Sequence, residues 1–326
     1  MTEKAPQMVP VPISEFVSGA TVPVDLFVKL GEDKFILVAK KDSKTARDQL
    51  ETYESKAVFY IWVKKGDYST LVKSNLTIAG IIVRHESLDT KQKTHVLTNA
   101  AGQVFRQLDE MGINMEAYAQ AKQIVDATIC LAEGHKDLSE LFAALSDVSD
   151  HLLKHSMAVC AVSTLIAQTM KWDSRATIEK IALGALLHDI GKKALPADLL
   201  NKPKAKMTHE ETQIYESHTF KGMQMLLGLG IVPDDVIAIV YEHHENALGM
   251  GFPRKLRNLK MHPLARIVAL ANEFVDLVMA NPNCAAPKTP REALITIETT
   301  MGQPFAKDVF KALTHVVTKA YLEGAA

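Results

Sequence analysis

The densest concentration of chemistry in this chain is the run Leu186-Leu187-His188-Asp189-Ile190-Gly191-Lys192. An adjacent imidazole and carboxylate can bind one divalent metal through nitrogen while the carboxylate oxygens reach a second, and Lys192 then stands ready for an anion. Alone, such a pair is more often a helix-end hydrogen bond. Its company changes that reading: of twelve histidines, seven fall between residues 151 and 244, namely His151, His155, His188, His209, His218, His243 and His244. Histidines clustered around a carboxylate point to a metal centre before any other chemistry.

The elements that must position these side chains are helices. His151 and His155 are four apart, so on a helix they stack on one face and can address one site. Residues 176 to 187 read as a nearly all-apolar helix, which buries His188 and Asp189 near its end, where a carboxylate is costly unless paired or metal-bound. Gly191 permits a tight exit and Pro196 keeps the helix from resuming. Thr208 and Glu211 form a capping box that starts a helix running through Ile214, His218 and Met225. His209 lies in its first turn, facing solvent, and is left out of the site. Pro233-Asp234-Asp235 starts another helix, on which Val236, Ile239 and Val240 point the same way as His243. His243 and His244 then straddle the helix end and can serve different metals.

The loop Gly249-Met250-Gly251-Phe252-Pro253 follows, then the basic run from Arg254 to Lys260, a solvated face or a hold for a phosphate-bearing ligand. A buried helix carries Asn272. Residues 281 to 290 read as a loop, and helices from about Pro290 and Pro304 close the chain.

Upstream the texture differs. Short β-rich runs, Val24 to Leu30, Phe35 to Ala39 and Ala57 to Val63, are separated by turn material and by a polar, helix-compatible stretch from Asp42 to Glu54. This is a small α/β domain with no phosphate loop or metal-like cluster, so it reads as a regulatory or interaction module, open to signalling protein partners. From about Thr77 the pattern turns helical. Val96, Val104, Leu108, Ile124 and Ile129 form stripes suited to bridging helices, which could pair between subunits of a homodimer or pack within one chain. The expected division is 1–80, 81–144 and 145–326.

Composition narrows the partners. With 37 Lys and Arg against 38 Asp and Glu, no global basic field exists to hold DNA, RNA or an anionic membrane. The N-terminus lacks the apolar core of a signal peptide, and no segment supplies the roughly 18 apolar residues of a membrane helix. A cytoplasmic protein is expected. Cys130, Cys160 and Cys284 are odd in number and widely separated, which fits reduced thiols.

The ordered motifs His155-Ser156, His188-Asp189-Ile190-Gly191-Lys192, Pro196, Lys202-Pro203, His218, His243-His244-Glu245, Gly249-x-Gly251-x-Pro253 and Ala265-Arg266-Ile267 resemble the HD-GYP group of HD-superfamily phosphodiesterases. The resemblance covers roughly residues 145 to 320. It implies a mainly α fold, an HD-superfamily helical domain preceded by the small α/β domain. It also implies two divalent metals, iron first and manganese as the alternative, or three, and hydrolysis of cyclic di-GMP or a related cyclic dinucleotide through a metal-bridged hydroxide. By position, His155, His188, Asp189, His218, His243 and His244 are the implied ligands, with Asp189 bridging. Lys192, Phe252 and Arg266 are the implied substrate contacts, and Asp189 and Lys192 the catalytic pair.

Three departures bear on activity. Phe252 stands where the family carries Tyr, Leu248 where it carries Asp, and Asn272 where its closing metal-binding Asp is expected. A Phe keeps the ring but donates no hydrogen bond. An Asn carbonyl can coordinate a hard cation but brings no charge, and Asp276, one turn on, is a possible substitute. His151 is a possible added ligand. The alternative function is therefore a metal-bound module, weak or inactive in catalysis, that binds nucleotide or protein partners in signalling.

Overall fold

The computed structural model describes residues 7–16, 21–32, 34–44, 52–53, 56–134, 138–146, 148, 150–172, 174–257, 260–300 and 305–323. The stretch from Asp42 to Glu54 lies largely outside these, and Pro304 lies wholly outside. Four strands, β1 (Met8–Pro12), β2 (Leu26–Gly31), β3 (Lys34–Ala39) and β4 (Tyr60–Lys64), form one antiparallel sheet in the order β1-β4-β2-β3. The sequence reading missed β1, because Pro10 and Pro12 argue against a strand. Both prolines are tolerated since β1 is an edge, with Pro10 opposite Trp62 and Pro12 opposite Tyr60. The overlooked signal was the period of two, which places Val9 and Val11 in the core.

Helix α1 (Lys65–Val83) follows β4 directly, well before the expected onset near Thr77. Tyr68, Leu71, Val72, Leu76, Ala79 and Val83, spaced by three and four, form its buried face. Next come α2 (Thr90–Met111), started by an Asp89–Gln92 capping box, α3 (Met115–Gly134) and α4 (Leu138–Ser146). The remaining helices are α5 (His151–Thr169), α6 (Arg175–Leu187), α7 (Ala197–Leu200), α8 (His209–Glu216), α9 (His218–Leu227), α10 (Asp234–Glu242), α11 (Pro263–Val278), α12 (Pro290–Ile295) and α13 (Lys307–Glu323). A 3-10 turn, Ile190–Ala194, follows α6. The fold is thus mainly helical with an N-terminal four-stranded sheet. Among the described residues no helix is long and apolar enough to cross a membrane.

Val104, Ile124 and Ile129 are buried as their spacing predicts, and their stripe packs within the chain: α3 lies against α5 and α6, and α2 against α4 and α5. One hydrophobic core runs from Val9 in the sheet through Ile129 and Ile166 to Leu313 and Val317 in α13. Polar ties reinforce it at two points. Arg106 on α2 donates to both carboxylate oxygens of Glu15, at 2.8 and 3.0 Å, and Glu15 ends the 3-10 turn Ile13–Glu15 that follows β1. Such bidentate pairs fix orientation as well as position. On either side of Arg106 along α2, the Phe105 carbonyl and Asp109 receive the Lys193 ammonium from the 3-10 turn. The helix that holds the turn after β1 therefore also touches the segment after His188 and Asp189.

Candidate metal centre

Three helix ends and one helix flank converge on Asp189. Helix α6 is apolar nearly all round, so its C-terminus is driven into the core and delivers His188 and Asp189 at 0% and 1% exposure. His155 comes from the flank of α5. His218 opens α9, where the helix expected to run unbroken from Thr208 is interrupted at Ser217. The capping box at Thr208 forms as read. His243 caps α10, and His244 follows it.

The two oxygens of Asp189 serve different histidines. Oδ2 lies 3.2 Å from His188 Nε2 and 3.7 Å from His155 Nε2, whereas Oδ1 lies 3.3 Å from His218 Nε2 and 3.6 Å from His243 Nε2. His155, His188 and Asp189 form one potential ligand group, and Asp189, His218, His243 and His244 a second, each with its ligand atoms within 4.8 Å of one another. His243 and His244 thus share one lobe, contrary to the expectation that they can serve different metals. Past the end of α10 the periodicity that separates consecutive residues no longer applies, and the rings turn to the same side, their centroids 4.2 Å apart.

Hydrogen bonding shows what these groups are prepared for. The Nδ1 atoms of His188, His218 and His243 lie 2.6, 2.6 and 2.8 Å from the carbonyl oxygens of Ala185, Tyr215 and Val240. A carbonyl only accepts, so each Nδ1 carries the proton and each Nε2 presents a lone pair. His218 Nε2 and His243 Nε2 nevertheless face each other at 3.3 Å, two lone pairs that a cation between them would satisfy, while His155 Nε2 lies 3.1 Å from His188 Nε2 and 2.8 Å from Asn272 Oδ1. A proton is disfavoured, because burial pushes the imidazoles of His155, His218 and His244 down and that of His243 to about 4. Two buried atoms without any hydrogen-bond partner, Asp189 Oδ1 and His244 Nε2, belong to the same lobe. The donor set therefore fits two divalent ions of the kind that take imidazole and carboxylate ligands.

Burial works to raise the Asp189 pKa, but the Lys192 ammonium and the surrounding imidazoles outweigh it and hold the carboxyl well below the usual range. Lys192 donates to Asp189 Oδ2 at 2.6 Å and lies over the Tyr215 ring, at the edge of a cavity of about 310 Å³ that reaches His155 and Asp189. Asn272 is buried on α11, with Oδ1 2.8 Å from His155 Nε2, so its carbonyl faces the first lobe. Asp276 lies 3.5 Å from the other ring nitrogen, Nδ1, and so flanks His155 from behind without entering the lobe. His151 is exposed, lines the cavity and belongs to neither ligand group. His209 is exposed and bonded to Gln213, outside the site as read.

The loop after His244 is folded tightly onto it. Phe252 N donates to the His244 carbonyl, and a side chain at Gly251 would meet that carbonyl oxygen at 2.3 Å. This places the Phe252 ring on the His244 ring, centroids 4.4 Å apart. The basic run does not reach the cavity among its described residues: the backbone N–H groups of Arg254 and Leu256 donate to buried Glu245. Arg266 is not brought to the cavity either, since its guanidinium donates to the Met261 carbonyl at 3.0 Å. Sequence reasoning missed Tyr215, which bears Lys192 on its ring and supplies the His218 carbonyl bond. The available signal was its place three residues before a ligand, the offset at which Ala185 precedes His188 and Val240 precedes His243.

The HD domain family profile matches residues 141–309, and the chain belongs to that family. It is 30% identical over 164 residues to a cyclic di-GMP phosphodiesterase of Pseudomonas aeruginosa, a match covering 50% of this chain and 39% of that protein. It is 29% identical over 227 residues to a cyclic di-GMP phosphodiesterase of Thermotoga maritima, covering 67% of this chain and 59% of the relative. The chain thus spans less than two thirds of the length of either. The solved structure of Bd1817, an HD-GYP-type protein of Bdellovibrio bacteriovorus, aligns over 96% of this chain and all of its own with a TM-score of 0.69; at 20% identity this shows a shared fold.

Proposed function

We propose that this chain is a two-metal phosphodiesterase that hydrolyses cyclic di-GMP or a related cyclic dinucleotide. The observation that carries the reading is the pair of lobes meeting at Asp189, with protonated Nδ1 atoms behind and unshared Nε2 lone pairs in front. His155, His188, Asp189 and the Asn272 carbonyl hold one ion, iron or manganese, and Asp189, His218, His243 and His244 hold the other. A bound ion pair supplies a nucleophile from water at neutral pH and Lewis-acid stabilisation of an in-line displacement at phosphorus. The chain does the positioning. Lys192, tethered to Asp189 and directed along the cavity, offers N–H donors to a phosphate oxygen, and Phe252 gives a base or ribose an apolar face. Residues 1–80 act as the regulatory or interaction domain, 81–144 as bridging helices and 145–326 as the metal-binding catalytic domain. The Arg106 and Lys193 contacts give the first of these a physical hold on the third.

A second reading, a metal-holding module that binds nucleotide or a protein partner without turnover, draws on Phe252 and on the uncharged Asn272. Metal analysis of the purified chain, coupled to hydrolysis of cyclic di-GMP in iron- and manganese-replete conditions, separates the two. About two ions per chain with turnover supports the enzyme; bound metal with no turnover of any cyclic dinucleotide supports the module; absence of metal overturns both.

Phe252→Tyr restores a donor beside His244. It is expected to raise kcat/KM for cyclic di-GMP by about five- to tenfold, the worth of one net hydrogen bond of roughly 1 kcal/mol. An unchanged value in side-by-side kinetics would show that the hydroxyl is not what this site lacks.

A further inference from the structure

Lys204 opens a single 3-10 turn, Lys204–Lys206, at the rim of the second lobe. Its backbone is fixed: Pro203 precedes it, and its N–H donates to Asn283 Oδ1 at 2.7 Å, from the loop beyond α11. From that anchor the side chain reaches over two aromatic rings. Nζ lies 4.9 Å from the centre of Tyr215 and 5.8 Å from the centre of Phe252. These rings flank ligands of one lobe. Tyr215 meets His218 edge-on at 5.4 Å, and Phe252 stacks on His244 while meeting His218 at 6.0 Å. The ammonium therefore lies over the two rings that pack against the His218–His243–His244 lobe.

Lys202 and Lys193 are engaged elsewhere, Lys202 with Glu211 at 2.6 Å and Lys193 with Asp109. Among the described residues no carboxylate lies within ion-pair distance of Lys204. A cation parked on ring faces is held in place with its N–H donors still available. Lysine carries a compact charge with three donors, suited to a phosphate oxygen.

We infer that Lys204 binds a phosphate oxygen of the substrate at the second lobe, supplying over the Phe252 ring the polar contact that this ring cannot make. The inference rests on the phosphodiesterase reading and names a substrate-positioning residue within it. Lys192 then serves the phosphate from the first lobe and Lys204 from the second, so that two cations flank one phosphodiester.

The test compares the full-length, manganese-loaded chain with Lys204→Met and Lys204→Arg by metal content, calorimetric binding of inorganic phosphate, and steady-state hydrolysis of cyclic di-GMP. Lys204→Met is expected to keep its metals, to bind phosphate about tenfold more weakly and to raise KM by about tenfold with little change in kcat, with Lys204→Arg recovering most of the loss. Unchanged phosphate binding and KM in Lys204→Met, while the wild-type chain turns over substrate, would overturn the role of Lys204 and leave the function standing. Weakened phosphate binding in a chain that hydrolyses no cyclic dinucleotide would support the Lys204 contact and remove the proposed substrate class. Loss of metal in Lys204→Met would assign the residue to the centre itself and overturn the inference.

Discussion

Asp189→Ala is expected to empty both lobes and abolish turnover. Each lobe takes one oxygen of this carboxylate, so a single truncation removes the carboxylate that, among the described residues, the two histidine groups share. Changes in groups that merely support metal ligands already reduce affinity or activity by about 10- to 100-fold. Losing the shared ligand should exceed that range, and metal content should fall from about two ions to near zero. The substitution also strands Lys192, which is mostly buried and donates to Asp189 at 2.6 Å. Breaking one side of a buried pair typically destabilises by about 3–5 kcal/mol, so the metal-free variant should unfold at distinctly lower denaturant than the metal-free wild type. His188→Ala removes one lobe's histidine and leaves the Asp189–Lys192 pair in place, so it should lose metal with a smaller loss of stability. Elemental analysis and urea unfolding read both quantities, and full metal content in both variants would remove the site assignment.

Gly191→Ala should damage the centre without touching a ligand. A Cβ at this position would lie 1.9 Å from the His218 carbonyl oxygen and 2.6 Å from the Gly222 amide nitrogen, contacts that backbone cannot relieve by rotation. The 3-10 turn would have to lift off α9, separating Asp189 from His218. Forced overpacking of this kind costs about 3 kcal/mol or more where the obstacle is main chain. Sites held to within about 0.5 Å lose function when their support moves, so metal affinity should fall at least tenfold. Gly66→Ala is the matched control: nothing lies within 4 Å of its Cβ, and an alanine in a helix is favourable. Unfolding curves and metal titrations that coincide for Gly191→Ala and wild type would show that the turn is not packed as described.

Residue types and order alone pointed to metal chemistry. Imidazoles and a carboxylate in the order His155, His188-Asp189, His218 and His243-His244 read as a ligand set before any fold is known. The buried helix that delivers His188, the Thr208 capping box and the Pro233 helix start are local properties that hydrophobic period and capping make legible. Three β-rich runs were readable for the same reason. Tertiary structure decided what periodicity cannot encode, because a face shown by spacing does not say which distant element covers it. It put His243 and His244 in one lobe, set Asp276 behind His155, and turned Arg266 towards Met261. It also gave β1 its edge, where prolines are harmless. Gly191 shows the difference within one residue: the sequence marks a tight exit, while the requirement comes from the His218 carbonyl, 27 residues further along the chain and in contact only once α9 docks. Lys204 and Tyr215 carry no motif at all, and their place beside the second lobe exists only because the 3-10 turn, α8 and the Phe252 loop meet there.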